Sequence, residues 1–163
     1  CLNTFLIDAQ TGQPRSHHLF AGRWFDCNIE MDLRERPPKS LDSATWTRAS
    51  RIWASVTPVV LDRHFDGKDR WKQAAQGVQE ACVRSGLPRP IEVMLHPVSR
   101  VRGVPHAREF PPMTRKSDGG RRYHSHVVLV FEQPVGGPVL IGAGRFRGYG
   151  LCRPMEQGNP NHD

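Results

Sequence analysis

The spacing of apolar residues divides the chain into a weakly patterned beginning and a strongly patterned remainder. In residues 1–36, Leu2 to Ile7 is compatible with a short strand, and Leu19, Phe20, Trp24 and Phe25 are large side chains that need cover. His17 and His18 would point to opposite sides of an extended segment, which favours surface histidines near a turn over ligands or catalysts. The rigid polar stretch Arg36-Pro37-Pro38-Lys39-Ser40 is the best internal boundary. From Arg51 to Leu61 apolar and β-branched residues dominate, predicting a strand in which Pro58 forces an edge position, a bulge or a split. Asp69 can cap a following helix, with Trp71, Ala75, Val78 and Cys82 on one face. Gly86, Leu87 and Pro88 are helix-stop signals.

A second strand is expected over Ile91 to Leu95, with Ile91, Val93 and Leu95 on one side and Pro97 at its end. Residues Arg100 to Arg122 carry no apolar period, and their prolines and glycines exclude a long helix. Tyr123 to Phe131 is the clearest strand. Its His124, His126, Val128 and Val130 share one face and Val127, Leu129 and Phe131 the other, the mark of a central strand. Glu132-Gln133-Pro134 is expected to end it, and an apolar turn, or a turn or two of helix, follows over Pro138 to Ile141. A glycine-rich loop and a last strand around Tyr149 to Arg153 follow. The order βαββ(α)β predicts an α+β, ferredoxin-like sheet like that of the RNA-recognition module, with the glycine-rich loop before its last strand.

Composition narrows the partner more than the fold. Lys and Arg exceed Asp and Glu by 7, which favours a polyanionic partner. The four cysteines, at 1, 27, 82 and 152, make no Cys-x-x-Cys pair, so neither a zinc site nor a secreted disulfide framework is expected. No signal-peptide pattern or membrane-spanning apolar run is visible, so a cytoplasmic protein without a membrane partner is expected. The abrupt start at Cys1 reads as the C-terminal portion of something longer, although a trimmed chain would look the same.

The segment that draws most attention is Gly142-Ala143-Gly144-Arg145-Phe146-Arg147-Gly148-Tyr149-Gly150. Glycine admits positive φ and close approach of a partner, and successive amides in such a turn can cradle an anion beside the guanidiniums. A dinucleotide fingerprint fails, because its third glycine falls on Arg147, and the Gly-Lys-Ser/Thr of a P-loop is absent. Alternating arginine and aromatic residues fit RNA better. The competing reading is a tight strand connection whose arginines face water. Likewise the stretch holding Arg100, Arg102, Lys116, Arg121 and Arg122 is either a solvated basic loop or a backbone-binding arm that orders on RNA.

Several of these segments together resemble a known family. They are Trp53-Ala54-Ser55-Val56-Thr57-Pro58-Val59-Val60-Leu61-Asp62-Arg63, Gly86-Leu87-Pro88, His126 to Phe131, and Gly137 to Leu151. Over roughly residues 46–154 they resemble the C-terminal half of a CRISPR-associated protein. It is the fused subunit of type I-G (formerly I-U) systems, which joins a guide-RNA handle-capping domain to a repeat-processing endoribonuclease domain. Both belong to the RAMP superfamily, whose hallmark is the glycine-rich loop. The resemblance makes residues 1–45 a linker or the end of the capping domain, and residues 46–163 the RNA-processing domain. It implies metal-independent cutting of precursor CRISPR RNA within its repeats, and retention of the product in a type I interference complex with other subunits. The loop motif carries over to Gly142, Gly144, Gly148 and Gly150 with Arg145 and Arg147, and Phe146 lies between them.

Metal-free cleavage uses the RNA 2′-hydroxyl as nucleophile and leaves a 2′,3′-cyclic phosphate and a 5′-hydroxyl. It needs a base, an acid and positive charge on the phosphoryl oxygens. Histidine, with a free pKa of about 6.5, suits the proton transfers and arginine suits the charge. His126 is the first choice, His124 on the same face the second, and His64 after the first strand the third; His96 and His106 rank below. Each could instead be a structural histidine near the sheet. His124-x-His126 is half of a metal site with no nearby carboxylate or cysteine to complete it, so no metal or other cofactor is expected. The alternative function is a non-catalytic subunit that caps or holds guide RNA. An unrelated basic RNA binder is the third reading.

Overall fold

The computed structural model describes residues 7–20, 26–32, 34–36, 38–63, 65, 67–115 and 119–156. The chain forms two compact units, Cys1–Leu41 and Asp42–Asp163.

In the first unit, β1 (His17–Phe20) pairs antiparallel with β2 (Asp26–Ile29). His18 holds Asn28 across this hairpin at 3.1 Å, lies 3.4 Å from Asp26 and stacks on Phe20, so it is used at the surface. Of the strand expected over Leu2 to Ile7, Ile7 bridges to Pro14, and the remainder lies outside the described residues, as do Trp24 and Phe25.

The second unit is an α+β fold with ferredoxin-like strand order. After the one-turn helix α1 (Ala44–Thr47) come β3 (Ser50–Ser55), β4 (Val59–Val60), α2 (Arg70–Arg84), β5 (Glu92–His96), β6 (His124–Val135), β7 (Val139–Leu140) and β8 (Leu151–Met155). The sheet runs β5-β6-β3-β8-β7, and β4 follows β3 along the same edge of β6. All pairings are antiparallel. As expected, Pro58 splits the first strand. The amides of Val56 and Thr57 turn to Leu151 O, and pairing with β6 resumes at Val59.

One face of the sheet is the core. Trp53, Val127, Leu129 and Phe131 pack there with Ala74, Val78 and Cys82 of α2. The small side chains of α2 let it lie close, and Gly86 at φ 80° closes it: its amide donates to Val83 O, and that of Leu87 to Cys82 O. Leu87 then folds back onto the core.

Five local expectations need correction. β6 does not end at Glu132-Gln133-Pro134 but runs through them to Val135, which pairs with Ser50 of β3. Ala74 and Ala81 complete the buried stripe of α2, whereas Trp71 is 48% exposed: it stands one turn before the first buried position and meets Tyr123 instead. Asp69 is the N-cap residue, but its side chain makes no capping bond. Ile91 precedes its strand and is exposed. Pro138 to Ile141 is neither turn nor helix: Val139 and Leu140 pair with Cys152 and Leu151, so β7 extends the sheet, and the last strand begins at Leu151 rather than Tyr149.

Candidate functional site

On the sheet face opposite α2, β6 presents His124 and His126. The segment between β5 and β6 folds back over them as a strap. Its anchors are backbone and hydroxyl bonds: Ser99 Oγ donates to Ser55 O at 2.6 Å, and the Ala107 amide to Pro97 O at 2.8 Å. A short 3-10 turn, Ala107–Glu109, is held by a reciprocal cap. His106 Nδ1 accepts the Arg108 amide, and Glu109 accepts the His106 amide. Further on, Thr114 bridges to Arg121. The stretch expected to be irregular thus has structure of its own.

His126 is 1% exposed. Its Nε2 donates to Pro105 O at 3.1 Å, and its Nδ1 accepts the Ser55 hydroxyl at 3.0 Å. Burial holds its pKa below the ordinary value, outweighing the backbone carbonyls of Pro105 and Ser55, which raise it. The ring is therefore neutral, with both nitrogens engaged, and Phe110 lies edge-on to it at 5.9 Å. His124 is placed differently. Its Nε2 donates to Ala107 O at 2.8 Å, which leaves Nδ1 as a lone-pair acceptor, and that atom is buried with no hydrogen-bond partner among the described residues. A carbonyl that fixes one imidazole nitrogen as donor leaves the other as a base.

The glycine-rich loop reaches this face. Tyr149 packs against His124 at 6.1 Å and Phe110 at 6.4 Å between ring centroids, and its hydroxyl donates to Pro111 O. Its glycines serve close packing within the protein. A Cβ on Gly142 would stand 2.7 Å from Val60 O, and one on Gly144 would press Tyr149, Met113 and Val60. A Cβ on Gly150 would run into Ile141 O. The amides of Ala143, Arg145, Arg147, Tyr149 and Gly150 all donate to protein carbonyls. What the loop offers outward is its 3-10 turn, Arg145–Arg147, and Gly148. Phe146 is 86% exposed, with the Arg145 guanidinium 4.5 Å over its ring.

The remaining expected site residues divide. Arg100 lines a hollow of about 230 Å³ with Met94, Leu95, His96, Val98 and His126, so one cation of the basic segment adjoins the histidines. His96 pairs with His126 across β5 and β6, and its Nδ1 accepts the Val98 amide. Arg102 and Arg121 are exposed. Arg122 is committed to structure, donating to Asp62 O at 2.9 Å. His64 and Lys116 lie outside the described residues. Sequence reasoning missed Ser55, Phe110 and Tyr149 as parts of this cluster; the proline pair Pro111-Pro112 was the one local hint of a rigid strap. Among the described residues no group of three or more His, Cys, Asp or Glu is placed to hold a metal ion. No described helix is long and apolar enough to cross a membrane.

Fold and site define a class of protein with an antiparallel ferredoxin-like sheet, a glycine-rich loop before its last strand and histidines on the face opposite its helix. The chain belongs to the CRISPR-associated protein, GSU0054 family, whose model matches residues 28–154, from β2 through β8. No curated protein and no solved structure shows a significant match.

Proposed function

We propose that this CRISPR-associated protein binds CRISPR RNA through the outward turn Arg145–Arg147 and cleaves precursor RNA within its repeats without a metal ion. The observation that supports this reading is the meeting of Tyr149 with His124, which joins the loop to an imidazole carrying an unused lone pair. In this mechanism Arg145 and Arg147 take the phosphate backbone. His124 Nδ1 accepts the proton of the 2′-hydroxyl as its oxygen attacks the adjacent phosphorus; the P–O5′ bond breaks, the 5′-oxygen takes a proton from solvent water, and the imidazolium returns its own proton to the hydroxide so formed. The products are a 2′,3′-cyclic phosphate and a 5′-hydroxyl. Because the strap covers both histidines, cleavage requires RNA binding to open it on the Pro105 side while the Ala107 carbonyl keeps His124 Nε2, and Arg100 and Arg102 ride on the part that moves. His126, engaged at both nitrogens, orients the sheet end of the site; it is the second proton-transfer candidate once Pro105 withdraws.

The product would remain with the other subunits of a type I interference complex, in the cytoplasm. Residues 1–45 would belong to the linker or the end of a handle-capping RAMP domain, and 46–163 to the processing domain. The test is incubation of the intact protein with repeat RNA in EDTA. Cutting that persists in chelator and stops with a 2′-deoxy substitution at the cut site supports the reading; cutting abolished by chelator contradicts it.

The second reading is a subunit that holds or caps guide RNA while another cuts. The burial and full hydrogen bonding of His126 favour it, since those are the marks of a structural histidine. Unchanged processing after joint replacement of His64, His124 and His126 by Ala would establish this second reading.

A further inference from the structure

Trp71 and Tyr123 stand apart from the glycine-rich loop, and nothing above assigns them a role. They are 48% and 43% exposed. Their rings meet edge to face, with centroids 6.1 Å apart at 66°. The Arg70 guanidinium lies 5.3 Å over the indole. We propose that Trp71 and Tyr123 form a stacking site for an unpaired base of single-stranded RNA; this rests on the RNA-binding reading above and adds a second contact point to it.

Two features favour a base over a protein side chain. An edge-to-face pair keeps ring surface open, and every nucleobase has a π-face to lay on it. The surrounding charge suits a phosphate backbone: Lys68, Arg70 and Lys72 lie within three residues of Trp71 in sequence. Of the nearby acids, Asp62 and Glu80 are paired to Arg84 and Glu80 also to Arg63, and Asp66 and Asp69 are the others in the sequence around the indole. Tyr123 adjoins His124 in the chain but shares the α2 side of the sheet with Trp71, so the platform is a contact separate from the histidine face.

The test is binding of the intact protein to a fluorescein-labelled single-stranded oligoadenylate and to a blunt RNA duplex of equal length, at one fixed salt concentration. The expected result for Trp71→Ala is affinity for the single strand weakened about tenfold or more, with duplex affinity unchanged. Trp71→Phe, which keeps a ring, should retain most of the affinity. The wild type should show indole fluorescence quenching by the single strand that Trp71→Phe lacks. Unchanged single-strand affinity in Trp71→Ala overturns this site while leaving the RNA reading intact. So does loss of subunit assembly without loss of RNA binding, which would make the patch a protein contact. Failure of the wild type to bind either RNA overturns both.

Discussion

The Ser55 hydroxyl joins two partners that the sequence places far from it: it donates to Nδ1 of His126 at 3.0 Å and accepts the Val127 amide at 2.9 Å. One oxygen thereby satisfies two buried groups of the central strand. Removing it in Ser55→Ala leaves an amide and an imidazole nitrogen without partners in a site closed to water. Unfolding in urea should show a loss of about 1–3 kcal/mol. An unchanged midpoint and slope would mean that the hydroxyl bridge contributes nothing.

His126 also gives stability a pH dependence. Burial favours its neutral form, so the folded state holds its pKa below the unfolded value of about 6.5. The sign follows: its contribution is complete above the unfolded pKa and is lost as pH falls below it, because the unfolded chain then binds a proton that the fold resists. Melting temperature should therefore fall between neutral pH and mildly acidic pH. His126→Gln should flatten that part of the profile. An equally steep profile in the variant would assign the acid sensitivity to other groups.

The loop glycines separate packing from conformation. Gly150 has φ 71°, and a Cβ there meets the Ile141 carbonyl; Gly148 has φ 80° but open space around it. Gly150→Ala should cost about 3 kcal/mol, combining overpacking with left-handed strain, and Gly148→Ala about 1 kcal/mol from strain alone. Calorimetric melting of the two variants gives the comparison. Equal losses would contradict the packing role assigned to Gly150.

Thiol chemistry reports on the core. Burial pushes the Cys82 thiol up to about 12 and raises that of Cys152 as well, while Cys27 is exposed. Among these three, only Cys27 should be modified by a thiol reagent in the native protein, as mapped by mass spectrometry. Rapid native-state labelling of Cys82 or Cys152 would place them outside the core.

Elements set by neighbours in sequence were legible beforehand. Pro58 cannot donate to a ladder, so the strand had to break there; Gly86 supplies the left-handed residue that ends α2; and the alternation of His124 to Phe131 marks a central strand. What escaped depends on partners distant along the chain. The outward turn of Trp71 is tied to its meeting with Tyr123, and the sealing of His126 depends on where the Pro105 carbonyl lands. The glycines read as a ligand cradle because their need for close approach is local, whereas the protein strand that fills the space, Val59–Val60, is not. β7 escaped because two residues, Val139 and Leu140, carry no period of their own, and only β8 beside them makes them a strand.

The central claim is that the turn Arg145–Arg147 grips RNA beside the histidine face. Its most direct test is the salt dependence of repeat-RNA affinity for the wild type and the double variant Arg145→Ala/Arg147→Ala. The account predicts weaker binding and a log–log salt slope shallower by about 1–2, one or two phosphate contacts being lost. Unchanged affinity and an unchanged slope would contradict it.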